Sequence, residues 1–425
     1  MLSTLKDAWR IPEIRKKILF TLGMLLVFRI GSAVPVPFMN KEMIQSVFEA
    51  NQGGLLQFLD LMAGGTFSQF SIFATNIYPY ITASIIIQLL TVAIPALEEL
   101  SKEGEEGKKK IAKYTRYGAI GIAAIQASGY TFGLFRSAIE TTSTLDNVLV
   151  ILSMVAGTAL LIWIGELITE KGIGNGISLL IFIGIISRLP AEFFSMYRNV
   201  DAGVVSAISV IILLAVVLVT VAVVVALQEG QRKIPVQYAK RVVGRKMYGG
   251  QSTHIPIKVL MAGVMPVIFA NALMSLPQTV TLFSDGAFAN WVQRYMTPAG
   301  SGIGVWVYTI LNIIMIMFFT YFYTAIQFNT VEYSKNLQQN GGFIPGIRPG
   351  RPTSEFLTKV VNRIVFVGGF ALAVLSTLPV VLSRIFGMQV SFGGTAVIIA
   401  VGVVLETVRQ IESQMLMRHY KGFLK

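Results

Sequence analysis

Long apolar runs separated by short polar and charged segments set the plan of this chain. A helix needs about 20 consecutive apolar residues to cross a hydrocarbon core about 30 Å thick. That criterion predicts ten spans, at roughly 18–36, 72–96, 113–137, 148–169, 176–196, 205–227, 255–276, 304–326, 360–381 and 394–412. Ten divides into five and five, and an odd number per half forces the halves into opposite orientations. The expected architecture is an all-α polytopic membrane protein: ten transmembrane helices in two pseudo-symmetric inverted halves, 1–195 and 196–425. Inverted repeats place a working site near the midplane between the halves. No residue-level repeat links the halves, so the symmetry rests on counting, and "AEFFSMYRNVDAGV" after the fifth span is the natural hinge.

One apolar stretch is too short for this scheme. "LLQFLDLMAGGTFSQFSIF", residues 55–73, follows the first span and runs into the second, with Asp60 and the pair Gly64–Gly65 inside it. Its helical part, about ten residues rising about 1.5 Å each, reaches only about half-way across the core.

Charge orients the spans. Of 35 Lys/Arg, six (Lys41, Arg136, Arg188, Arg198, Arg294, Arg384) fall on one side and Arg29 lies inside the first span. All the others belong to the N-terminal tail, the even-to-odd connections and the C-terminal tail. The positive-inside rule then places both termini in the cytoplasm. Hydrophobic residues make up 54% of the chain and charged ones 13%, where soluble domains carry about 25% charge. The first 17 residues are basic and polar and lead straight into a full-length span, so no cleavable signal is expected.

Cysteine is absent, and the only histidines are His254 and His419. Disulfides and thiolate metal sites are thereby excluded, along with most imidazole chemistry; no cofactor or metal is expected. "EGEEGKKK" (103–110) lacks the spacing and the Ser/Thr of a phosphate-cradling loop, and neither H-E-x-x-H nor G-x-S-x-G occurs. The five aspartates, at 7, 60, 146, 201 and 285, form no intramembrane pair able to share a proton. Within spans the charges are Arg29, Glu166 and Glu406, each near a span end and expected to be solvated there. Coupled carriers keep ionisable groups at mid-membrane. An enzyme is therefore not expected. A conduit with an apolar constriction, driven by another molecule, is favoured over the alternative of a secondary transporter or lipid flippase.

Two long connections, 228–254 and 327–359, are basic. The first, read with its flanks as 226–258, carries Arg232, Lys233, Lys240, Arg241, Arg245, Lys246 and Lys258, and "KIPVQYA" within it alternates like a strand. The second sets Arg348 and Arg351 among prolines and glycines, which should hold them out on a stiff loop. A few basic residues suffice for orientation. Loops of this length also suit a docking platform for an acidic partner, either protein or ribosomal RNA. "GIGNGIS" (172–178) opens the fifth span and "FGGT" (392–395) the tenth. Such glycines serve either close helix packing or a deformable entrance beside a cavity. Pro266 inside the seventh span is expected to kink it.

Five motifs occur in order: "SIFATNIYPYITASIIIQLL" (71–90), "GIGNGIS", "GQRKIPVQYAKR" (230–241), "GFIPGIRPG" (342–350) and "FGGT". Together they resemble the bacterial SecY family, the central channel subunits of the general protein-secretion (Sec) translocon. The resemblance covers essentially the whole chain. It implies a channel that passes unfolded preproteins across the bacterial cytoplasmic (inner) membrane and releases membrane helices sideways into lipid.

By motif, the family's aliphatic pore ring falls on Ile81 and Ile85 of "PYITASI", Ile181 and Ile185 of "SLLIFIGI", Ile268 of "MPVIF" and Ile399 of "GGTAVII". The pairs 81/85 and 181/185 are spaced i, i+4, so each lines one helix face. The family's plug corresponds to about 55–67. Leu55–Met62, including Leu59, Leu61 and Met62, would face the ring; Asp60 would be tolerated in a wet outer funnel; Gly64 and Gly65 would supply the break. A lateral gate is implied between the second and third spans and the seventh and eighth. Thr82, Ser84, Asn271 and Ser275 stand there among apolar residues and would latch it at about 1 kcal/mol each. Arg348 matches the position that engages the motor ATPase SecA, with Arg351 beside it. Arg241, Arg245 and Lys246 lie in the loop that also meets the ribosome. Further implied partners are the membrane subunits SecE and SecG, signal sequences and preproteins, and the lipid bilayer.

Overall fold

Proline, glycine and charge decide where the long apolar runs break into helices. The computed structural model describes residues 2–50, 60, 64–139, 143–203, 206–238, 241–243, 246–248, 252–281, 286–297, 303–386 and 394–422. In the first half, α1 (Leu2–Arg10) leads into α2 (Pro12–Ser32), then α3 (Lys41–Ala50), α4 (Tyr78–Ala93), α5 (Pro95–Lys102), α6 (Glu105–Gly129), α7 (Thr144–Lys171) and α8 (Gly176–Asp201). The second half holds α9 (Ala207–Glu229), α10 (Met265–Val280), α11 (Ala287–Tyr295), α12 (Ile303–Gln327), α13 (Thr330–Gln339), α14 (Arg351–Phe386) and α15 (Gly394–Gly422). Every predicted span overlaps a helix. Among the described residues six helices are long and apolar enough to cross a membrane by themselves, or seven if α4 and α5 count as one bent span.

Three expected spans are corrected. The second, placed at 72–96, is helical only from Tyr78 to Ala93. Asn76 holds a left-handed backbone (φ 52°), which keeps the helix from starting earlier. Pro95 forces Ile94 into an extended conformation, and α5 leaves at 102° to α4. The third, placed at 113–137, is α-helical over Glu105–Gly129 and ends in a π turn over Tyr130–Leu134. The seventh, placed at 255–276, begins with a strand and a turn and becomes helical only at Met265. Pro266 then sits in the first helical turn, where its missing N–H has no partner to lose. It does not kink the helix; Pro277 is the proline inside α10.

Four strands separate α9 from α10: β1 (Gln231–Tyr238), β2 (Arg241–Val243), β3 (Lys246–Tyr248) and β4 (Ser252–Lys258); β5 (Gly342–Phe343) follows α13. The alternation read in "KIPVQYA" is β1: Ile234 and Val236 are buried and their neighbours are not. β1 pairs antiparallel with β4 and β5, in register Ile234↔Ile255 and Gln237↔Phe343, and β2 pairs with β3. Ile234, Val236 and Ile257 pack with Ile344 and with Leu357 and Val360 of α14. Both basic connections thereby fold into one platform seated on the end of a long helix.

Within the first half α4 packs on α6, α6 on α7 and α7 on α8; within the second α10 packs on α12, α12 on α14 and α9 on α15. Among the described residues the halves meet chiefly through α4 with α10 and through α8 and α1 with α15. Ala8, Ile14 and Ile173 pack with Ile411 of α15, so the two ends of the chain lie on the same side. We call it the terminal side, and the opposite one the far side.

Candidate functional site

A helix presents residues four apart on one face, and two such isoleucine pairs are buried where elements of both halves share one core. Ile81 and Ile85 of α4, Ile181 and Ile185 of α8, Ile268 of α10 and Ile399 of α15 are all buried, between 0 and 7% exposed. All six belong to one contiguous apolar cluster. Two helices from each half supply the six isoleucines, and side chains of α2, α7, α9, α12 and α14 belong to the cluster as well. β-Branched side chains are stiff, and a patch without hydrogen-bonding groups neither holds water nor replaces an ion's hydration shell.

Residues 64–77 wind back toward α4 and contribute Phe73 and Ile77 to the cluster. Gly64 and Gly65 adopt φ of +67° and +87°, a region that favours glycine. A Cβ on Gly64 would stand 2.5 Å from the Cα of Gly184 in α8, so the two backbones touch. The Ser187 hydroxyl donates to the Gly64 carbonyl (3.4 Å). Asp60, expected in a wet funnel, is 2% exposed. Its carboxylate is neutralised by Arg188 of α8, with Nη1 to Oδ2 2.5 Å, and accepts from the Ser68 N–H at 2.7 Å. A buried carboxylate is tolerable only when paired in this way. Leu59, Leu61 and Met62 lie outside the described residues. Beyond Gly65 the chain is fixed: Phe67 and Phe70 meet Phe135 edge-on, and Val36 and Ile72 exchange backbone hydrogen bonds with Phe70 and Val34.

The polar residues expected between α4 and α10 bond within their own halves. Ser84 accepts from Gln88 of the same helix (3.3 Å), and the Ser275 hydroxyl donates to the Ala272 carbonyl (2.7 Å). Asn271 accepts from Asn312 of α12, which in turn accepts from Ser376 of α14, both at 3.3 Å. Thr82 is buried and its hydroxyl has no partner among the described residues. The expected latch across the halves is therefore not made by these four. What spans the seam is a polar cavity of about 10 Å³, lined by Tyr78, Gln126 and Tyr130 from one half and Ser275 and Thr279 from the other. That is room for about one water. The Tyr78 hydroxyl and Gln126 Oε1 are buried there without a partner among the described residues. Gln126, Asn312 and Tyr78 escaped the sequence reading, although a lone amide inside "IAAIQASG" or "TILNII" is a usable signal.

Charges near the helix ends are paired more than expected. Glu166 of α7 meets Arg116 of α6 at 3.2 Å, where solvation alone was expected; Glu406 and Arg29 are exposed. The glycines of "GIGNGIS" serve close packing. A Cβ on Gly176 would collide with the Gly165 carbonyl, and Gly174 (φ +87°) donates its N–H to Gln410 of α15 at 2.5 Å. Lys17 reaches Gln414 at 3.2 Å, a second tie between the halves on the terminal side.

On the platform, Arg348 is exposed in a loop bent by Gly346 and Gly350 and closed by a Thr353 hydroxyl on the Arg348 carbonyl (2.8 Å). Arg351 is exposed and paired with Glu355 at 3.0 Å. Arg241 and Lys246 lie on the β2–β3 hairpin, and Arg245 falls outside the described residues.

The family model SecY matches residues 71–408. The "Protein translocase subunit SecY" of Thermotoga maritima is 43% identical over 435 residues, covering 100% of this chain and 98% of that one. Its counterpart in Corynebacterium glutamicum is 44% identical over 446 residues, covering all of both chains. Among solved structures, one described as "The structure of a protein conducting channel" superposes with a TM-score of 0.67 at 19% identity, covering 97% of each chain. A second, concerned with the plug domain of SecY and the closed state of its translocation channel, has the same score, identity and coverage. Sec61 in a canine ribosome-channel complex gives a TM-score of 0.63 at 18% identity, again covering 97% of each. At these identities the structures speak for the fold.

Proposed function

The chain belongs to the SecY family of protein translocase subunits, and from that premise we propose that it is the central subunit of a polypeptide-conducting channel. Unfolded preproteins pass between the halves, and apolar segments leave sideways into lipid. The membrane is a bacterial cytoplasmic one, with the terminal side in the cytoplasm. The observation that carries this reading is the convergence of six isoleucines from both halves in one buried cluster. Closed, such a ring dewets and resists ions; open, it offers a sliding chain nothing to hold.

The short segment ending at Gly64–Gly65 is the plug, held to α8 by the Asp60–Arg188 pair. The seam of α4 and α6 against α10 and α12 is the lateral gate. Unpartnered polar atoms at Thr82, Tyr78 and Gln126 keep its closure weak, so an apolar signal sequence can part it. The basic platform, with Arg348 and Arg351 at the loop before α14 and Arg241 and Lys246 on the hairpin, receives SecA or the ribosome, as would Arg245 beside them in sequence. SecE and SecG complete the membrane complex. The charged residues of the spans, Arg29, Glu166 and Glu406, lie near span ends rather than at mid-membrane, which favours a channel over an ion-coupled transporter or flippase.

The test uses the absence of cysteine. A single Cys replaces Ile85, a second is placed in a secretory substrate stalled by a folded domain, and Val216→Cys in α9 is the off-path control. With SecA, SecE and ATP, a disulfide at 85 and none at 216 is expected. Equal or absent bonding despite confirmed stalling would remove the ring and return the transporter reading.

A further inference from the structure

On the far side, the nine-residue α11 connects the outer ends of α10 and α12. Its buried face is small: Ala289 is 3% and Val292 0% exposed. Its other face is aromatic. Phe288, Trp291 and Tyr295 follow at helical spacing and stand in series, with ring centroids 6.5 and 6.0 Å apart. Phe288 and Trp291 are 49% and 51% exposed. Arg294, which lies 5.7 Å over the Tyr295 ring, is the only ionisable group on the helix besides that tyrosine.

This helix is fastened at its C-terminal end to both neighbours. Gln278 of α10 donates to the Met296 carbonyl at 2.5 Å. Gly304, in the first turn of α12, packs so closely on the Arg294 carbonyl that a Cβ there would collide with it. α12 is one of the helices able to cross a membrane, and its first turns expose Ile303 (76%) and Trp306 (61%). The aromatic face of α11 therefore lies level with the point where α12 enters the bilayer.

We propose that α11 is an interfacial anchor that seats Phe288, Trp291 and Tyr295 in the headgroup region of the far-side leaflet, with Arg294 on lipid phosphate. Tryptophan and tyrosine favour that layer because it wets one end of the ring and not the other. An amphipathic helix with this division lies in the plane of the interface. Lipid is the occupant because the patch continues onto the exposed residues of α12, and its one cation complements a phosphate. The anchor is separate from the ring, the plug and the docking loops. Tied to α10 and α12, it holds the outer ends of both helices at a fixed depth.

The chain has four tryptophans. With Trp9, Trp163 and Trp306 replaced by Phe, Trp291 reports alone in proteoliposomes. Phosphatidylcholine–phosphatidylglycerol vesicles carry bromine either near the headgroup or near the chain ends, and iodide probes the water. The shallow label is expected to quench Trp291 about twofold, the deep label less, and iodide little. Strong iodide quenching with no effect of bromine would place the face in water. Silence from both quenchers would place it under protein; either result overturns the anchor. Because triple replacement can disturb folding, the difference spectrum between the parent chain and Trp291→Phe is recorded under the same quenchers and must show the same lipid dependence.

Discussion

Arg188 and Asp60 form an ion pair, Nη1 to Oδ2 2.5 Å, that fastens the chain just before Gly64 to the far-side half of α8. The carboxylate is 2% exposed and also accepts from the Ser68 N–H. Asp60→Asn keeps an acceptor for Ser68 and deletes the charge, leaving Arg188 without its partner. Hydrogen bonds between charged groups contribute about 1.5–3 kcal/mol, so the resting ion leak in planar bilayers is expected to rise about tenfold. Arg188→Gln should do the same. Because the two side chains act as a unit, the double variant should leak no more than either single one. Additive effects, or leaks equal to the parent's, would deny the pair a role in closure.

Gly64 is a second fixed point on the same contact. Alanine there would adopt a left-handed backbone, costing about 1–2 kcal/mol, and would push its methyl to 2.5 Å from Gly184. Gly64→Ala is expected to lower the unfolding temperature in detergent and to raise the resting leak. Gly23→Ala, in mid-α2 with nothing within 4 Å, is the matched control. It should be neutral or stabilising by up to about 1 kcal/mol. Equal behaviour of the two variants would show that the Gly64–Gly184 approach is slack.

The lesson for reading such a chain comes from particular residues. β1 was legible because Ile234 and Val236 alternate with polar neighbours. β4 was not, because "HIPIK" merges with the apolar run behind it, and hydropathy alone read strand, turn and helix as one span. The i, i+4 isoleucine pairs could be seen in α4 and α8, but which isoleucines share a cluster depends on how the halves pack. That relationship came with the family resemblance. Asp60 looked solvated because its partner sits on a helix remote in sequence, and local pattern carries no trace of such a pair.

Asn312 bridges Asn271 and Ser376, tying α10, α12 and α14 together. Asn312→Leu leaves both neighbours unpartnered, at a cost of about 1–3 kcal/mol for each buried polar group so stranded. A lower unfolding temperature is expected, together with export of reporters bearing weak signal sequences. Thr82→Val should act oppositely, since its buried hydroxyl has no partner among the described residues. It should firm the seam by about 1 kcal/mol and demand a more hydrophobic signal. Changes of the same sign in both variants would show that these polar groups do not set the strength of the gate.

Ile185, fully buried in the shared cluster, separates shape from polarity. Ile185→Leu conserves volume, costs less than about 1.5 kcal/mol and keeps the centre dry, so its resting conductance should match the parent's. Ile185→Asn places an amide in a buried position of the apolar cluster; water must enter to satisfy it. A wetted constriction loses its barrier to ions. The leak should therefore rise about tenfold or more, while translocation, which needs only width, continues. Single-channel recording beside an export assay reads both quantities on the same preparations. An Asn variant as tight to ions as the Leu variant would mean that the seal lies elsewhere, with the segment before Gly64 the first place to look.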